Sequence, residues 1–428
     1  MKPRSPSAEH DAAGTSEFVA LAAMDGLAGL LAGTTDVQTI LDNVANKVCD
    51  VLQIEASLIR LLNAETGELV IRATHNLSDA FLLKGPVRLQ DSPIDAAAFA
   101  GQTVYVADMT TDPRVIYPDE TRAEGIVSAL CVPLTYRGRS VGIVRVYSNR
   151  PRVFTGFEAA LLRAMASQAA AAVVNATLYA ERLEARVMQR QVRYAAEIQR
   201  RMLPGKAPAH ERISFGYVYE PSLEVGGDFY DFIELPGGNV GVAIADVVGK
   251  GVPAALMMAS VRAALRAHAH SIFDINQIVS LVNQQVCRDT AIHEFATLFY
   301  GVFSADSRQL TYCNAGHDAP LVLRGEAVFR LETGGLVLGV AATESYQRDV
   351  VDLRAGDVVA FYTDGVTDVM NFNGETFGRE RLIESLQRNR AADPRTMVRQ
   401  VLWEVSRFAG LTERPDDMTL VVAKVLGA

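Results

Sequence analysis

Apolar positions along the chain change period three times, and each change predicts a different kind of element. TDVQTILDNVANKVCDVL (35–52) repeats its apolar residues at helical spacing, with Thr35 or Asp36 placed to cap the start. SLIRLLNAETGELVIRATH (57–75) then reads as two strands about a Glu-Thr-Gly turn, and ALCVPLTYRGRSVGIVRVYS (129–148) as a second hairpin turning at Arg-Gly. FTGFEAALLRAMASQAAAAVVNATLYAERL (154–183) predicts a long helix closing this zone. The next stretch, LYAERLEARVMQRQVRYAAEIQRRM (178–202), lacks Gly and Pro and consists mostly of helix formers. Leu178, Ala185 and Val192 are spaced by seven, as are Met188, Ala195 and Met202. That spacing predicts a coiled-coil seam, interrupted by Glu181 and Gln199, and Pro204 ends the helix.

Beyond Ile213, strand-like runs alternate with helical blocks. The strands fall in FGYVYEPSLEVGGDFYDFIEL, NVGVAIADVV, TLFYGVFSADSRQLTYCNAGH, APLVLRGEAVFRLE, GDVVAFYTDGVTDVM and DMTLVVAKVL. The helices fall in VPAALMMASVRAALRAHAH, INQIVSLVNQQVCRD and DPRTMVRQVLWEVSRFAG. Hairpin strands with helices grouped between them predict an α+β sandwich. The domain plan is a disordered tail over 1–15, a sensor-like domain over 16–175, a helical linker over 176–204 and a second domain over 205–428.

Composition narrows the chemistry. A chain of 428 residues, 49% hydrophobic and 21% charged, can bury ordinary globular cores, and its net charge of −9 gives no overall basic footprint for nucleic acid or an anionic membrane. Cys49, Cys131, Cys287 and Cys313 are scattered without a CxxC pair, which predicts reduced thiols and argues against zinc. The N-terminus lacks the apolar core of a signal peptide. Asp25, Arg163 and Gln168 break the most apolar stretches, so the expectation is a cytoplasmic protein with no membrane span.

Four acidic positions share one context. Asp228 follows Gly226-Gly227 in EVGGDFYD, Asp246 ends VAIAD, Asp364 ends VVAFYTD, and Asp416-Asp417 opens MTLVVAKV. A carboxylate at the mouth of a buried strand is costly unless paired or bound to a cation. Several converging mouths would form an oxygen-rich site for Mg²⁺ or Mn²⁺. The glycine pair, poor in a strand, would leave room for a cation and its water shell beside Asp228.

Together, EVGGDFYD, IADVVGKGVPAALMMA, YCNAGHDAP, GDVVAFYTDGVTD and PDDMTLVV resemble the PPM family of metal-dependent serine/threonine phosphatases, in its bacterial sporulation stage II E and sigma-regulator branch. The resemblance runs from about Met202 to the C-terminus. It implies an αββα sandwich with two divalent cations, Mn²⁺ or Mg²⁺. Asp246 would bridge the two with the Val247 carbonyl in support, Asp228 would serve one and Asp364 the other, and Asp416 rather than Asp417 would be the last ligand. The implied substrate is a phosphoserine on a STAS-type anti-anti-sigma protein; the alternative is a non-catalytic scaffold keeping the fold. Lys250 stands in GKG where many relatives carry GHG. His317 fits a structural turn at least as well as a general acid, and no arginine is placed to clamp phosphate.

The front zone resembles a GAF domain through its opening helices, the RGRSVGIVRVYS hairpin and the closing helix. Asn149-Arg150, Phe154 and Glu158-Ala159 match the family's cyclic-nucleotide signature only in part, with three departures that argue against that ligand. The signal received there, a small molecule or a partner, stays open. AAEIQRRMLP is similar to the segment preceding the phosphatase domain in this branch, and the seam implies a homodimer through the linker helix.

Overall fold

The computed structural model describes residue 22 and residues 24–427, apart from 292, 413 and 415; the tail expected over 1–15 lies outside them. The chain divides into two compact units between Arg186 and Val187. That division falls inside one continuous helix, Gly156–Met202, which merges the closing helix and linker expected from sequence.

The first unit holds one antiparallel sheet of β1 (Ala56–Leu62), β2 (Leu69–His75), β3 (Val104–Val106), β4 (Ser128–Tyr136) and β5 (Arg139–Ser148), in the order β2-β1-β5-β4-β3. Asp36 caps the helix Val37–Leu52, its carboxylate accepting from the Thr39 amide at 2.8 Å. Arg137 and Gly138 both take positive φ, as a two-residue hairpin turn requires for strands twisted in the native sense. Thr155 and Glu158 form a reciprocal capping box at the start of the long helix: each side chain accepts the other's amide, and Glu158 also pairs with Arg152. Glu158, part of the incomplete nucleotide signature, is thus a helix-starting residue. By length and composition the helix Gly156–Met202 could cross a bilayer, with mean hydropathy 1.3 over its most apolar window, although Arg163 and Gln168 interrupt it. Its Leu162, Met165, Ala169 and Val173 are buried in this unit's core.

The second unit is a sandwich of two sheets. One contains β7 (Phe229–Glu234), β8 (Val240–Val247), β9 (Ala296–Phe303), β10 (Gln309–Ala315), β13 (Gly334–Gly335) and β14 (Asp349–Asp352). The other contains β6 (Ile213–Glu220), β11 (Leu321–Arg324), β12 (Ala327–Arg330), β15 (Val358–Tyr362) and β16 (Met418–Val425). Their orders are β13-β10-β9-β8-β7, with β14 on β10, and β12-β11-β15-β16-β6. Side chains alternating along the strands put aromatic rings between the layers. Phe299 and Phe361 meet across the sheets at 5.4 Å between centroids, and Phe215 and Phe232 at 5.0 Å. Helices Val252–Ala269 and Ile275–Asp289 cover the first sheet, while Gly378–Arg388 and Pro394–Ala409 cover the second. The αββα layering expected from the resemblance is present.

The rings between the sheets fix how closely the two layers approach, so removing one should loosen the sandwich. Phe361→Ala is expected to cost about 3–5 kcal/mol. Urea unfolding followed by the fluorescence of Trp403, the chain's single tryptophan and part of this unit, should show the earlier midpoint.

Candidate active site

The strand ends bring the expected aspartates to one mouth of the sandwich. Asp228 enters β7 and is 2% exposed. One of its oxygens accepts hydrogen bonds from the Thr363 and Thr419 hydroxyls, each at 2.7 Å. Both threonines belong to the opposite layer, directly after β15 and within β16. Burial and the neighbouring Asp246 hold the Asp228 carboxyl well above the usual range. Asp246 lies at the end of β8 and is raised by burial and by Asp416. Asp364 opens the short helix Asp364–Thr367 and is pushed up to about 6 by burial, Asp246 and Asp416. These groups therefore feel one another's charge.

Asp416 and Asp417 are neighbours with different surroundings. Asp417 is buried, and both its oxygens are in use: one accepts from the Ser222 amide at 2.7 Å and hydroxyl at 3.0 Å, the other from the Gly227 amide at 2.7 Å and the Asp228 amide at 3.4 Å. It thus ties the 222–228 loop to the start of β16. Asp416 is half-exposed; one oxygen accepts the Asp417 amide and the other lies 3.0 Å from Lys250 Nζ.

The glycines of EVGGDFYD serve closer packing than a water shell would need, which corrects the sequence reading. A Cβ on Gly226 would collide with the Asp417 carboxylate and the Tyr219 hydroxyl; on Gly227 it would stand 2.8 Å from the Val247 carbonyl oxygen. Protein atoms fill that space. Gly365 is constrained in the same way, its α-carbon lying against the Asp417 backbone carbonyl. The second aspartate of the motif, Asp231, is wholly buried and pairs with Arg266 at 2.6 Å and Arg262 at 3.0 Å, fixing the helix Val252–Ala269 to β7.

His317 clamps strands together. Its Nε2 lies 3.1 Å from the Tyr362 carbonyl, which can only accept, so the proton sits on Nε2 and Nδ1 accepts from the Thr297 hydroxyl at 2.7 Å. Burial lowers the imidazole to about 4, and the neutral ring is what this geometry requires. Thr297 Oγ1 also receives the Asp246 amide at 3.3 Å, so the clamp reaches the cluster.

Beside Asp246 and Asp364 opens a cavity of about 350 Å³, walled also by His317, Asp318, Arg330 and Glu332. Sequence reasoning missed Arg330 because strand β12 carries it there from a segment without a motif. It also missed Gln199, which is buried and grips Gly226 from both sides: its amide donates to the Gly226 carbonyl at 2.7 Å and its oxygen accepts the Gly226 amide at 3.1 Å. The signal was present, because Gln199 is one of the polar residues interrupting the seam. Thr363 and Thr419 were visible only as polar residues in apolar strands.

Whether the site suits divalent ions can be judged from its donors. Among the described residues no three carboxylate, imidazole or thiol groups converge tightly enough to hold an ion alone. Hard cations such as Mg²⁺ bind through one or two carboxylates and keep several waters. Mutually repelling acids around an open cavity, with the Val247 carbonyl beside Gly227, fit that manner of binding.

Comparison with known proteins agrees with this geometry. Residues 236–426 match the family model for stage II sporulation protein E, a span that includes Asp246, Asp364 and Asp416 but not Asp228, and residues 34–174 match that for the GAF domain. The phosphoserine phosphatase RsbU of Bacillus subtilis is 28% identical over 236 residues, 55% of this chain and 70% of RsbU. Protein IcfG of Synechocystis is 31% identical over 244 residues, 50% of this chain and 38% of IcfG. The SiaA-PP2C domain of Pseudomonas aeruginosa superposes with a TM-score of 0.51 at 23% identity, over 56% of this chain and 98% of that domain. Residues 34–174 are thus similar to the GAF domain and residues 236–426 to stage II sporulation protein E, and the second unit has the PP2C-type fold.

Proposed function

We propose that the second unit hydrolyses phosphoserine on a protein, with two divalent cations, Mn²⁺ or Mg²⁺, held by Asp228, Asp246, Asp364, Asp416 and the Val247 carbonyl. The observation carrying this reading is the gathering of aspartates from different strand ends beside one open cavity, where burial and neighbouring carboxylates raise the pKa values of Asp228, Asp246 and Asp364. Bound there, the cations would supply a reactive water and neutralise charge on the phosphoryl oxygens. Asp417 and Gln199 hold the loop that carries Asp228. Thr363 and Thr419 orient the Asp228 carboxylate, and neutral His317 fixes Thr297 beneath Asp246. Arg330, on the cavity wall, offers the incoming phosphate a cation. Its guanidinium is paired with Glu332 at 2.9 Å, a pairing that phosphate would displace.

The substrate proposed is a phosphorylated STAS-domain protein of the anti-anti-sigma type, in the cytoplasm. The likeness to RsbU, a phosphoserine phosphatase, supports it. Residues 16–175 would receive the signal and 176–204 would transmit it in a homodimer. The partly exposed Leu178, Met188 and Met202 support that seam, and the Gln199–Gly226 bonds offer a route by which helix packing reaches the site.

Purified full-length protein should release phosphate from a phosphoserine STAS protein with Mn²⁺ and lose that activity in EDTA. Asp246→Asn should lower kcat by about 100-fold or more, because a neutral amide lacks the charge that would hold the cations. Metal-dependent partner binding with no turnover by the wild type would instead establish a scaffold. Asp416 and Asp417 separate by experiment. Asp416→Asn should weaken Mn²⁺ binding in calorimetry while leaving thermal stability nearly unchanged, whereas Asp417→Asn should lower the melting temperature. Equal effects of both on stability would refute the assignment. Arg330→Ala is expected to raise KM several-fold with a smaller change in kcat, and an unchanged KM would remove Arg330 from phosphate recognition.

A further inference from the structure

The helix Pro394–Ala409 covers the second sheet with one face and turns another to solvent. Met397, Val398, Val401, Val405 and Ala409 recur at helical spacing and are buried against that sheet. The start of the helix lies close on β6, where a Cβ on Gly216 would collide with the Pro394 carbonyl. Its exposed residues are therefore fixed in direction. They are Arg395, Arg399, Gln400, Trp403 and Arg407, with no carboxylate among them. Arg395, Arg399, Trp403 and Arg407 follow at four-residue intervals, a ridge slanting along about 18 Å of the face. Leu411, just past the C-cap Gly410, is fully exposed.

A solvated helix face usually mixes both signs at this spacing. The neighbouring helix Gly378–Arg388 does so, with Glu380 and Glu384 exposed beside Arg381 and Arg388. On Pro394–Ala409 the nearby acids are already engaged. Glu404 is partly buried and pairs with Arg388 at 2.6 Å, and Asp393 caps the helix, accepting from the Thr396 amide and hydroxyl. Arg399 bonds only the Thr396 hydroxyl at 3.1 Å, and Arg407 lies 5.2 Å over the Trp403 ring. Among the described residues no carboxylate stands within ion-pair distance of Arg395, Arg399 or Arg407. In a chain of net charge −9, three uncompensated arginines around an exposed tryptophan are a local exception.

We propose that this face docks on an anionic phospholipid surface. Trp403 and Leu411 enter the headgroup layer, where an indole ring is favoured, and Arg395, Arg399 and Arg407 pair with lipid phosphates around them. Guanidinium N–H groups match phosphate oxygens in pairs, and the arginine stems lie along the apolar boundary while their heads stay with the phosphates. A fluid headgroup layer closes around a convex ridge and needs no preformed groove. With two apolar residues the insertion is shallow, so attachment is mainly electrostatic and reversible. The proposal is independent of the phosphatase reading.

Trp403 is the chain's single tryptophan, so its emission reports on this face directly. The test mixes full-length protein with vesicles of phosphatidylcholine alone, or of phosphatidylcholine with an equal part of phosphatidylglycerol. Cosedimentation with the second kind only, with a blue shift of Trp403 emission, is expected at about 0.05 M salt and should be lost at about 0.5 M, where screening acts within a few ångströms. The double variant Arg395→Glu with Arg399→Glu should bind tenfold or more weakly. Both side chains lie in solvent, so this variant should melt with wild type, which separates lost binding from lost folding. It also leaves the arginines of the linker helix intact, so binding through those would persist. Binding that survives the double variant, that leaves Trp403 emission unshifted, or that is equal for both vesicles would overturn the proposal. Binding to neither would overturn it as well and leave this face to an acidic protein.

Discussion

Like charges drawn to one end of a sandwich repel, and the second unit is arranged around containing that repulsion. Asp228 has the most severe position, inside the protein and facing Asp246. It is tolerated because two threonines of the opposite layer donate to one of its oxygens. Each layer therefore depends on the other at this point. The aromatic contacts set the separation of the sheets, and the threonines convert that separation into the placement of a carboxylate. The residual electrostatic tension makes the mouth suited to cations, because what the fold leaves unpaired a divalent ion can pair.

A second group of residues does the holding without touching the cavity. Asp417 uses all its accepting capacity on the 222–228 loop, and Gln199 meets the same loop from the helix side through both groups of Gly226. A Cβ at Gly226 would destroy that close approach. The loop is fixed at two ends, by a strand and by a helix, and Asp228 follows immediately. The position of the helix and the placement of Asp228 are consequently joined by a few hydrogen bonds.

The two units use buried charge in opposite senses. In the second, carboxylates outnumber their partners at an open mouth; in the first, the buried guanidiniums of Arg60 and Arg145 share one carboxylate, Asp95. Each imbalance costs folding free energy. Asp231 between Arg262 and Arg266 shows by contrast that this chain also uses buried charge to fasten helix to strand.

The layers, most strand and helix positions and the identity of the acidic strand ends were legible in the sequence, because period and strand-end chemistry are local properties. The Arg-Gly turn and the Asp36 cap needed only their neighbours. What tertiary structure decided was partnership. EVGGDFYD suggests a cation by its glycines, yet those glycines meet Asp417 and Val247, residues 191 and 20 positions away by their numbering. Gln199 looks like a flaw in a seam until Gly226 is placed against it, and Arg330 carries no signal until β12 brings it to the cavity. Arg60 and Arg145 are ordinary charges along the chain. Only strand pairing and the docking of one helix put them around a single carboxylate, because the energy of a charge depends on what the fold places within a few ångströms of it.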